Sequence, residues 1–476
     1  MTALSASVPR AGDFERFSAD PLHFLAQARA THGNLFAIRD RGPVFSRADD
    51  CTGVVAVFGV EHQRAVLSDI ESFGMPASAA HALNLSPNLV NLNRSLHSMA
   101  ANQHASHKRL LAAILSDDVE DLGPTIWAAL ADDETRWKVG GTVQLLERMR
   151  ELTLQTSSRM LFGRRYAENF ELARLAQTYF HLRREASSPA NPAGTVPRDR
   201  LMSVGNSLDD RLRMHVRKWR EREVSPSDGI LARLATLEAE PNIQLREDEV
   251  IGHSNVLFIS STEPIAVALT WIVLILSQLP ALREELRNEL GALFETSDVP
   301  DLRQLSRLTL LDGVINESLR LLPPNAFMVR ITTRPTALAG VELPERCEIV
   351  LCPFLSHRDA DCFPRPHEFL PARWSKASPS PFAYFPFGAG GHSCVGRGLA
   401  LSVIKATLAF LLPRYDLVLA GDQDVDWRVH IIFTPSIDPA FAINSPTESP
   451  RSSAGKLSGP VGEMLSLHVH RNVHRP

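Results

Sequence analysis

The sequence predicts one mainly helical domain with minor β sheets, followed by a disordered tail. Apolar residues recur at helical spacing in six stretches, at about 63–70, 103–115, 143–162, 207–222, 281–294 and 310–322. Extended runs are short and lie near 54–58, 346–352 and 428–433. No linker rich in Gly, Ser or Pro divides the 476 residues before the last thirty. One large domain over residues 1–444 therefore explains the chain better than the ~3 domains that length alone suggests.

The end of the chain differs in composition from the rest. From Ser445 onward it is rich in Ser, Pro, Thr and charged residues, which bury too little apolar surface to hold an ordered structure. We therefore predict that residues 445–476 form a disordered tail. Its scattered histidines, His468, His470 and His474, are more typical of a solvated tail than of a metal site.

The most apolar stretch covers residues 256–279. Glu263, Pro264 and a run of three hydroxyl residues interrupt it, and its continuous apolar part is shorter than the ~18 residues that a membrane span usually needs. The first ten residues contain neither the apolar core of a signal peptide nor a spanning helix. We therefore expect a buried core helix at 256–279 and no membrane span.

Charge and cysteine content argue against several classes of protein. The formal net charge is −4 and the sequence pI is about 6.5, so there is no overall electrostatic reason to expect nucleic-acid binding. The five cysteines are odd in number, scattered and few for this length, which argues against a disulfide framework and favours a reducing compartment. We expect a cytoplasmic protein with no nucleic-acid partner.

A glycine-rich turn delivers one cysteine, Cys394, to the first residue of a predicted helix. Gly388, Gly390 and Gly391 allow backbone conformations closed to other residues, so that amide N–H groups can point toward one sulfur atom. Apolar residues then recur at spacings of four and three up to position 410, which predicts an amphipathic helix whose positive end faces the sulfur. We therefore expect a thiol of lowered pKa that can serve as a metal ligand.

Two glycines just beyond the cysteine, Gly396 and Gly398, lack side chains that would obstruct the start of the helix. A large flat group such as a porphyrin could lie close against it. The simpler alternative is a glycine-rich turn that carries a buried free cysteine and no cofactor.

This turn resembles the haem-binding signature of the cytochromes P450, in the form common among soluble bacterial members. The matching residues are Phe387-Gly388-x-Gly390-x-His392-x-Cys394-x-Gly396. The resemblance covers about residues 12–443 and implies a P450 fold enclosing one haem b, with Cys394 as iron ligand and Phe387, Gly388 and Gly396 at the haem. Because thiolate ligation favours O–O cleavage, it also implies an oxidoreductase of the monooxygenase type.

A second motif precedes the cysteine by about seventy-five residues. Glu317 and Arg320 stand three apart on a predicted helix, so their side chains can pair, and Arg373 follows in Phe369-x-Pro371-x-Arg373-Trp374. The order resembles the family's Glu-x-x-Arg motif and the arginine that completes its buried triad. The resemblance implies a structural role, which is to hold the scaffold of the cysteine loop.

Haem propionates are anions, and charge-assisted hydrogen bonds from Arg, Lys or His hold anions strongly. By motif position the resemblance implies His392, Arg330, His104 and Lys108 as the propionate-binding residues. Lys108 stands where the family usually has arginine, and the neighbouring Arg109 could serve instead.

Residues 257–271 resemble the family's oxygen-activating helix, with the register set by the downstream Ala-x-Ala-Leu-Thr-Trp. In that register Glu263 holds the acidic position, and Ser260 and Ser261 take the positions of small residues. Pro264 replaces the threonine with which the family normally helps to deliver protons. A proline inside an ordinary helix costs about 3 kcal/mol, although less at a kink.

Two hypotheses about the chemistry follow. In the first, a hydroxyl of Ser260, Ser261 or Thr262, an ordered water or the substrate replaces the missing threonine, Glu263 gates protons, and the enzyme is a monooxygenase. In the second, the reaction does not need this route, as in peroxide-driven oxidation, oxidative coupling, desaturation, rearrangement or dehydration. A non-catalytic haem-binding helper is a third possibility, and Glu263 could also be only a helix-stabilising carboxylate.

The resemblance also maps a substrate pocket, to about residues 75–98, 257–262, 326–329 and 434–437. These are mostly apolar or weakly polar, with Arg94 the one clear charge before the oxygen-activating helix, so we expect an apolar or weakly polar, uncharged small molecule.

The sequence contains no flavin or nicotinamide fingerprint and no iron–sulfur cysteine cluster. We therefore expect electrons from a separate ferredoxin or flavodoxin and its reductase. Basic residues near the cysteine, among them Arg109, Arg397 and Lys405, would attract such an acidic partner.

Overall fold

The computed structural model describes residues 4–12, 14–46, 50–76, 86–99, 101–117, 122–163, 166–186, 198–221, 223–225, 228–237, 245–295, 299–429, 432–446 and 455–464. Helices make up 57% of the described residues, and the strands form small sheets. The mainly helical fold class predicted from the sequence is therefore confirmed.

The described part of the first half of the chain forms nine helices. They are α1 (Phe14–Ala19), α2 (Pro21–His32), α3 (Val60–Ser68), α4 (Pro87–Leu92), α5 (Ala101–Asp117), α6 (Gly123–Asp133), α7 (Leu145–Phe162), α8 (Tyr166–Ala186) and α9 (Arg198–Arg220).

The helices of the second half include the apolar centre of the fold. They are α10 (Ile230–Thr236), α11 (Glu247–Ser260), α12 (Glu263–Ser277), α13 (Pro280–Phe294), α14 (Leu302–Leu305), α15 (Thr309–Leu321), α16 (Pro353–Ser356), α17 (Arg397–Arg414) and α18 (Gly459–Met464). The six helical stretches predicted from periodicity fall on α3, α5, α7, α9, α13 and α15. The largest difference is at α9, which begins at Arg198 and not near residue 207.

A five-stranded sheet lies beside the helices, with the strand order β1-β2-β8-β5-β3. Its strands are β1 (Leu35–Arg39), β2 (Gly53–Val57), β3 (Phe73–Gly74), β5 (Met328–Thr332) and β8 (Cys347–Leu351). The pair β2 and β8 is parallel and the other neighbours are antiparallel. Every residue of β2 and β8 is buried, as expected of central strands covered on both faces.

The remaining strands form small sheets. They are β4 (Thr142–Gln144), β6 (Thr336–Leu338), β7 (Val341–Leu343), β9 (Asp416–Leu419), β10 (Gln423–Asp424), β11 (Trp427–Val429), β12 (Phe433–Pro435), β13 (Ala440–Asn444) and β14 (Leu457–Ser458). The single extended run predicted at 428–433 is wrong: β11 and β12 are two antiparallel strands on either side of residues 430–431. Both strands carry β-forming residues, so the sequence pattern does not show where β11 ends and β12 begins.

The helices α11 and α12 follow each other through the centre of the protein. By length and composition, residues 247–277 could cross a membrane, but 78% of their most apolar window is buried inside the protein. Apart from Pro264, every residue of α12 is buried, because a helix that is apolar all round needs partners on every side. The stretch is thus a core helix, as expected, divided in two at Ser261 and Thr262.

The segment that carries the cysteine packs between the sheet and the helices. Phe385 and Ala389 are buried in a cluster with apolar residues of β2 and β8. Residues further along, from Leu399 onward in α17, join the larger helical core instead. The cysteine loop therefore lies where the two apolar clusters meet.

Residues 455–464 differ from the disordered tail that the sequence predicts. Strand β14 pairs in parallel with β10, and Leu457 and Val461 are buried in the main core. The side chain of Gln278 accepts a hydrogen bond from the amide of Leu457 (3.1 Å) and donates to the carbonyl of Gly455 (3.0 Å). Two apolar side chains with docking sites on the core thus order a segment whose average composition is polar.

We expect Val461→Ala to lower the free energy of unfolding by about 2 kcal/mol, because it removes two buried carbons and leaves a cavity. Val139→Ala is the matched control, since Val139 is 54% exposed and exposed substitutions usually change stability by less than ~0.5 kcal/mol. Urea unfolding followed by circular dichroism measures both. Equal stability of the two variants would show that α18 does not dock in solution.

Candidate functional site

The cysteine loop, residues 385–396, is shaped by glycines in contact with other parts of the chain. Gly388 and Gly390 have φ angles of +71° and +67°, which favour glycine over residues with a Cβ atom. A Cβ atom at Gly390 would also lie 1.9 Å from the carbonyl oxygen of Leu67 at the end of α3. Backbone conformation and close approach therefore both require glycine there.

The sequence predicted Cys394 as the first residue of α17, but the structure places the cysteine before that helix. Its amide donates a hydrogen bond to the carbonyl of Phe387 (2.7 Å), which closes the loop. The helix begins three positions later, at Arg397. Because Gly396 and its neighbour still form a turn, the apolar periodicity of the sequence extends past the true helix boundary.

The sequence predicted that the protein's own groups lower the pKa of the Cys394 thiol, and this prediction is wrong. Solvent reaches the residue, yet the surrounding protein is dense enough that burial raises the pKa of its thiol. The Gly396 amide, Lys108 and Arg397 act in the opposite direction without offsetting burial. The thiol is therefore accessible although protein surrounds it. We infer an interior chamber at this point, in which a coordinating metal ion would remove the proton of the thiol.

The Glu317 side chain lies wholly inside the protein and accepts hydrogen bonds from four residues. Arg320 donates two, each of 2.9 Å. The others come from Arg373 (3.0 Å), the indole of Trp374 (2.9 Å) and the amide of Leu370 (2.9 Å). The structure thus brings the predicted triad together and adds Trp374, which stands beside Arg373 in the same motif and was missed.

Arg320 connects this cluster to the cysteine loop. Its guanidinium donates to the carbonyls of His357, Pro366 and Glu368 at 2.7–3.0 Å. The ring of His357, which is fully buried, accepts the amide N–H of Phe385 at 3.0 Å. Since Phe385 begins the loop, two hydrogen-bonded steps join the ion pair to the segment that carries the cysteine.

Helix α5 contacts the loop through two of the predicted residues. His104 is buried and its Nε2 lies 3.0 Å from Nδ1 of His392. Lys108 donates to the carbonyl of Gly391 (2.7 Å) and to Ser393 Oγ (2.9 Å). Arg109, the alternative to Lys108, is exposed. Lys108 therefore binds the loop backbone, while the two imidazoles form a pair beside it.

Arg330 is buried without a carboxylate partner among the described residues. Only 3% of it is exposed, its Nε has no hydrogen-bond partner, and one terminal nitrogen donates to the carbonyl of the preceding Val329. Burial lowers the pKa of its guanidinium to about 10. A buried cation of this kind needs an anion.

The group that the resemblance implies, a haem with two propionates, fits these residues. The unpartnered Arg330 and the imidazole pair supply donors suited to carboxylates, and Cys394 supplies a sulfur ligand. No other atom lies within 4 Å of a Cβ built on Gly396 or Gly398, which leaves room for a flat ring at the start of α17.

Pro264 occupies the first turn of α12. A missing N–H costs little there, because the first amides of a helix have no partner within the helix. The cost expected for a proline within a continuous helix therefore does not apply. Ser157 of α7 donates from its hydroxyl to the carbonyl of Ser261 (2.8 Å) and so holds the turn between α11 and α12.

The end of α11 and the first turn of α12 are accessible, although residues 249–255 before them are all buried. The accessible residues are Val256, Leu257, Ile259, Ser260, Ser261 and Pro264. Four of them, Val256, Leu257, Ser260 and Pro264, are related by spacings of three and four, and we call these four the accessible stripe. We take the stripe as the wall of the interior chamber.

The three hydroxyl residues at the break differ in their partners. Ser261 donates to the carbonyl of Phe258 (3.0 Å), and Thr262 Oγ1 lies 3.3 Å and 3.1 Å from the carbonyls of Phe258 and Ile259. Ser260 is exposed and its hydroxyl contacts no other described residue. Only Ser260 is therefore free to bind a water or a ligand.

Glu263 is buried and held by Arg150 of α7. The arginine donates to both carboxylate oxygens, at 2.6 Å and 3.0 Å. Glu263 also begins α12, where the positive end of the helix stabilises a carboxylate. Arg150 was missed because it lies 113 positions away on a helix whose local sequence shows no motif.

Comparison with known proteins agrees with these features. A family model described as Cytochrome P450 matches residues 21–431. The chain is 29% identical to cytochrome P450 CYP72A616 of Paris polyphylla over 83% of its length and 78% of the relative's. It is 26% identical to pentalenene oxygenase of Streptomyces avermitilis, over 88% and 92% of the two chains. The match to mouse sterol 26-hydroxylase covers only 46% of that protein, at 30% identity.

Two solved structures show the same fold. The heme domain of cytochrome P450DA superposes with a TM-score of 0.78 at 19% identity, covering 92% of this chain and 97% of the other. A cyanobacterial CYP120A1 with bound retinoic acid superposes with a TM-score of 0.77 at 21% identity and the same coverage.

We expect Arg330→Gln to weaken haem retention, because a charge-assisted hydrogen bond contributes roughly 1.5–3 kcal/mol. Transfer of haem to apomyoglobin should be about tenfold faster or more, and less haem should co-purify with the polypeptide. Arg428→Gln, a change at an exposed position, is the control. Equal transfer rates for the two variants would remove Arg330 from the haem site.

Proposed function

This chain belongs to the cytochrome P450 family, and on that premise we propose a haem-thiolate monooxygenase that acts on an apolar or weakly polar small molecule in the cytoplasm. Its class, a monooxygenase-type oxidoreductase, follows from the family. The observation that carries the proposal is the combination of an accessible Cys394 with a buried Arg330 that has no carboxylate partner among the described residues. Haem b is the cofactor that would supply an iron for Cys394 and a propionate for Arg330.

Bound haem would supply the oxygen chemistry, in which a thiolate ligand favours O–O cleavage and dioxygen, two electrons and two protons convert a substrate C–H bond to C–OH with release of one water. In this proposal Cys394 would ligate the iron, Arg330, His104 and His392 would hold the propionates, and Lys108 keeps the loop in place. Phe387, Gly388 and Gly396 would line the space for the ring.

The electrons come from a separate ferredoxin or flavodoxin and its reductase. Arg109 and Arg397 are exposed near the cysteine loop, with Arg397 stacked over the ring of Phe387 at 5.7 Å. These two cations can attract an acidic partner. Lys405 is withdrawn from this role, because its ammonium pairs with Asp312 at 2.6 Å and is largely buried.

Protons reach the site through Ser260 in this proposal. Its hydroxyl is accessible and not bonded to the helix, so it can hold a water molecule in the place of the missing threonine. Glu263 contributes its charge but is bound by Arg150 at both oxygens. Ser261 and Thr262 keep their hydroxyls on helix carbonyls and shape the turn.

A second candidate function has one specific observation in its favour. Pro264 removes the usual hydroxyl and Arg150 occupies the nearby carboxylate, so both groups of the family's proton route are changed. A peroxide-driven oxidation or another reaction without proton delivery would suit this arrangement. A non-catalytic haem-binding helper would keep the cofactor and show neither kind of turnover.

An apolar substrate is supported by the accessible stripe, in which Val256 and Leu257 face the chamber. Relatives whose names state that they act on pentalenene or sterols point in the same direction.

The proposal is tested first by Cys394→Ser. Reduced parent protein exposed to carbon monoxide should show the red-shifted Soret band that a thiolate ligand produces, and the variant should lose it together with turnover. The band depends on the ligand, so a variant that binds haem without showing the band isolates the role of the sulfur. A variant with the spectrum and activity of the parent would refute the proposal.

We expect Ser260→Ala to lower oxygen-driven product formation by about tenfold or more, since proton transfer by a positioned group contributes ~10²–10⁴-fold. Released hydrogen peroxide should rise correspondingly. Turnover driven by added hydrogen peroxide should change little. Ser261→Ala is the matched control, because that hydroxyl already bonds to Phe258. The measurement uses a substrate from a spectral binding screen with ferredoxin and its reductase.

If Ser260→Ala keeps full oxygen-driven turnover, protons do not pass through this hydroxyl. If the parent protein turns over only with hydrogen peroxide, the second candidate function is correct.

A further inference from the structure

Arg183 stands on the buried face of α8. Leu172, Ala176 and Tyr179 are buried on that helix, at spacings of four and three that mark one side. Arg183 is the next position of this stripe, four residues after Tyr179. A helix of this kind normally places an apolar residue there, so the arginine requires an explanation.

The partners of Arg183 are neutral. Its guanidinium donates to the side-chain oxygen of Asn93, whose amide in turn lies 2.8 Å from the hydroxyl of Tyr179. Within the described part of the chain no carboxylate pairs with it, and burial lowers the pKa of Arg183. The segments 77–85 and 187–197, which flank α4 and α8 in sequence, contain no Asp or Glu. These two segments therefore cannot supply a carboxylate for Arg183.

A second arginine adds positive charge beside Asn93. The side chain of Arg94 is half-buried and makes no hydrogen bond or ion pair with another described residue. Two guanidiniums without a carboxylate partner among the described residues thus belong to this region, Arg183 in contact with Asn93 and Arg94 next to Asn93 in sequence.

This positive cluster lies next to the interior chamber. Asn255 of α11 donates to the carbonyl of Leu92 at 2.9 Å, and Val256 of the accessible stripe follows it directly. The carbonyl of Arg94 lies so close to α11 that a Cβ atom at Gly252 would be 1.9 Å away. The end of α4 is therefore seated on the helix that forms the chamber wall.

We propose that Arg183, oriented by Asn93 and Tyr179, binds the carboxylate of a substrate whose remaining skeleton is apolar. This inference rests on the proposed function, and in place of the uncharged substrate expected from the sequence it assigns an organic acid with an apolar skeleton. Guanidinium and carboxylate match in planar, bidentate geometry, and Arg183 is half-buried with no charged partner among the described residues, so it is available to bind one. Arg94 raises the positive potential around the site.

In this role Arg183 determines specificity and position. It holds the acid group at one border of the chamber, and the length of the skeleton then decides which carbon reaches the reacting centre. Arg183 itself takes no part in oxygen chemistry, so its loss should change substrate binding far more than haem binding.

The test is a spectral titration of the haem-loaded protein with two matched pairs of probes, dodecanoate with 1-dodecanol and 1-adamantanecarboxylate with 1-adamantanemethanol. We expect at least one acid to shift the Soret band with a dissociation constant about tenfold to a hundredfold lower than that of its alcohol. Arg183→Gln should abolish this preference and Arg183→Lys should keep part of it. Arg174→Gln, an exposed position on the same helix, should leave the preference intact.

Each outcome of these titrations either supports or overturns the role of Arg183 in acid binding. The inference is overturned if neither acid binds, if acids bind no better than alcohols, or if Arg183→Gln keeps the preference. The carbon monoxide spectrum of each variant is recorded in parallel, because a protein without the thiolate band refutes the proposed function and not the acid site alone. A variant that shows the normal band but has lost acid binding supports the inference.

Discussion

The position of Cys394 depends on the ion pair between Glu317 and Arg320, both of which lie wholly inside the protein. Burying two charges costs several kcal/mol each unless hydrogen bonds satisfy their remaining donors and acceptors. Here four residues donate to the carboxylate and three backbone carbonyls accept from the guanidinium. Those carbonyls belong to the segment that precedes the cysteine loop, so the charge pair fixes the backbone that the loop continues.

The break between α11 and α12 shows how one substitution changes its surroundings. Pro264 is tolerated because it falls in the first turn of α12, and Ser157 and Arg150 of α7 bind the groups on either side of the break. These contacts hold the turn in place, and of its three hydroxyl residues only Ser260 makes no side-chain hydrogen bond to a described residue. The turn keeps its geometry without the threonine that the family normally has there. Any proton transfer at this position must therefore use the hydroxyl groups that remain.

Two arginines beside the chamber have no carboxylate partner among the described residues. Other arginines of the core pair with carboxylates, as Arg320 does with Glu317 and Arg283 does with Asp416, or donate to backbone carbonyls, as Arg358 does. Arg330 and Arg183 have only neutral partners among the described residues. An unpaired cation is unfavourable in a low-dielectric interior, so each of these positions is best explained by an anion that binds there: a propionate at the first and a substrate acid at the second.

Local sequence by itself determined the glycine-rich turn, the cysteine, the Glu317–Arg320 pair at helical spacing and the replacement of threonine by Pro264. Each of these is encoded by neighbouring residues, because glycine conformations and helical spacing act over a few positions. Only the tertiary structure decided that α17 begins after Cys394, that Arg150 binds Glu263, that residues 455–464 dock on the core and that no described carboxylate pairs with Arg183. These facts depend on side chains that are distant in sequence, and packing alone brings such groups together.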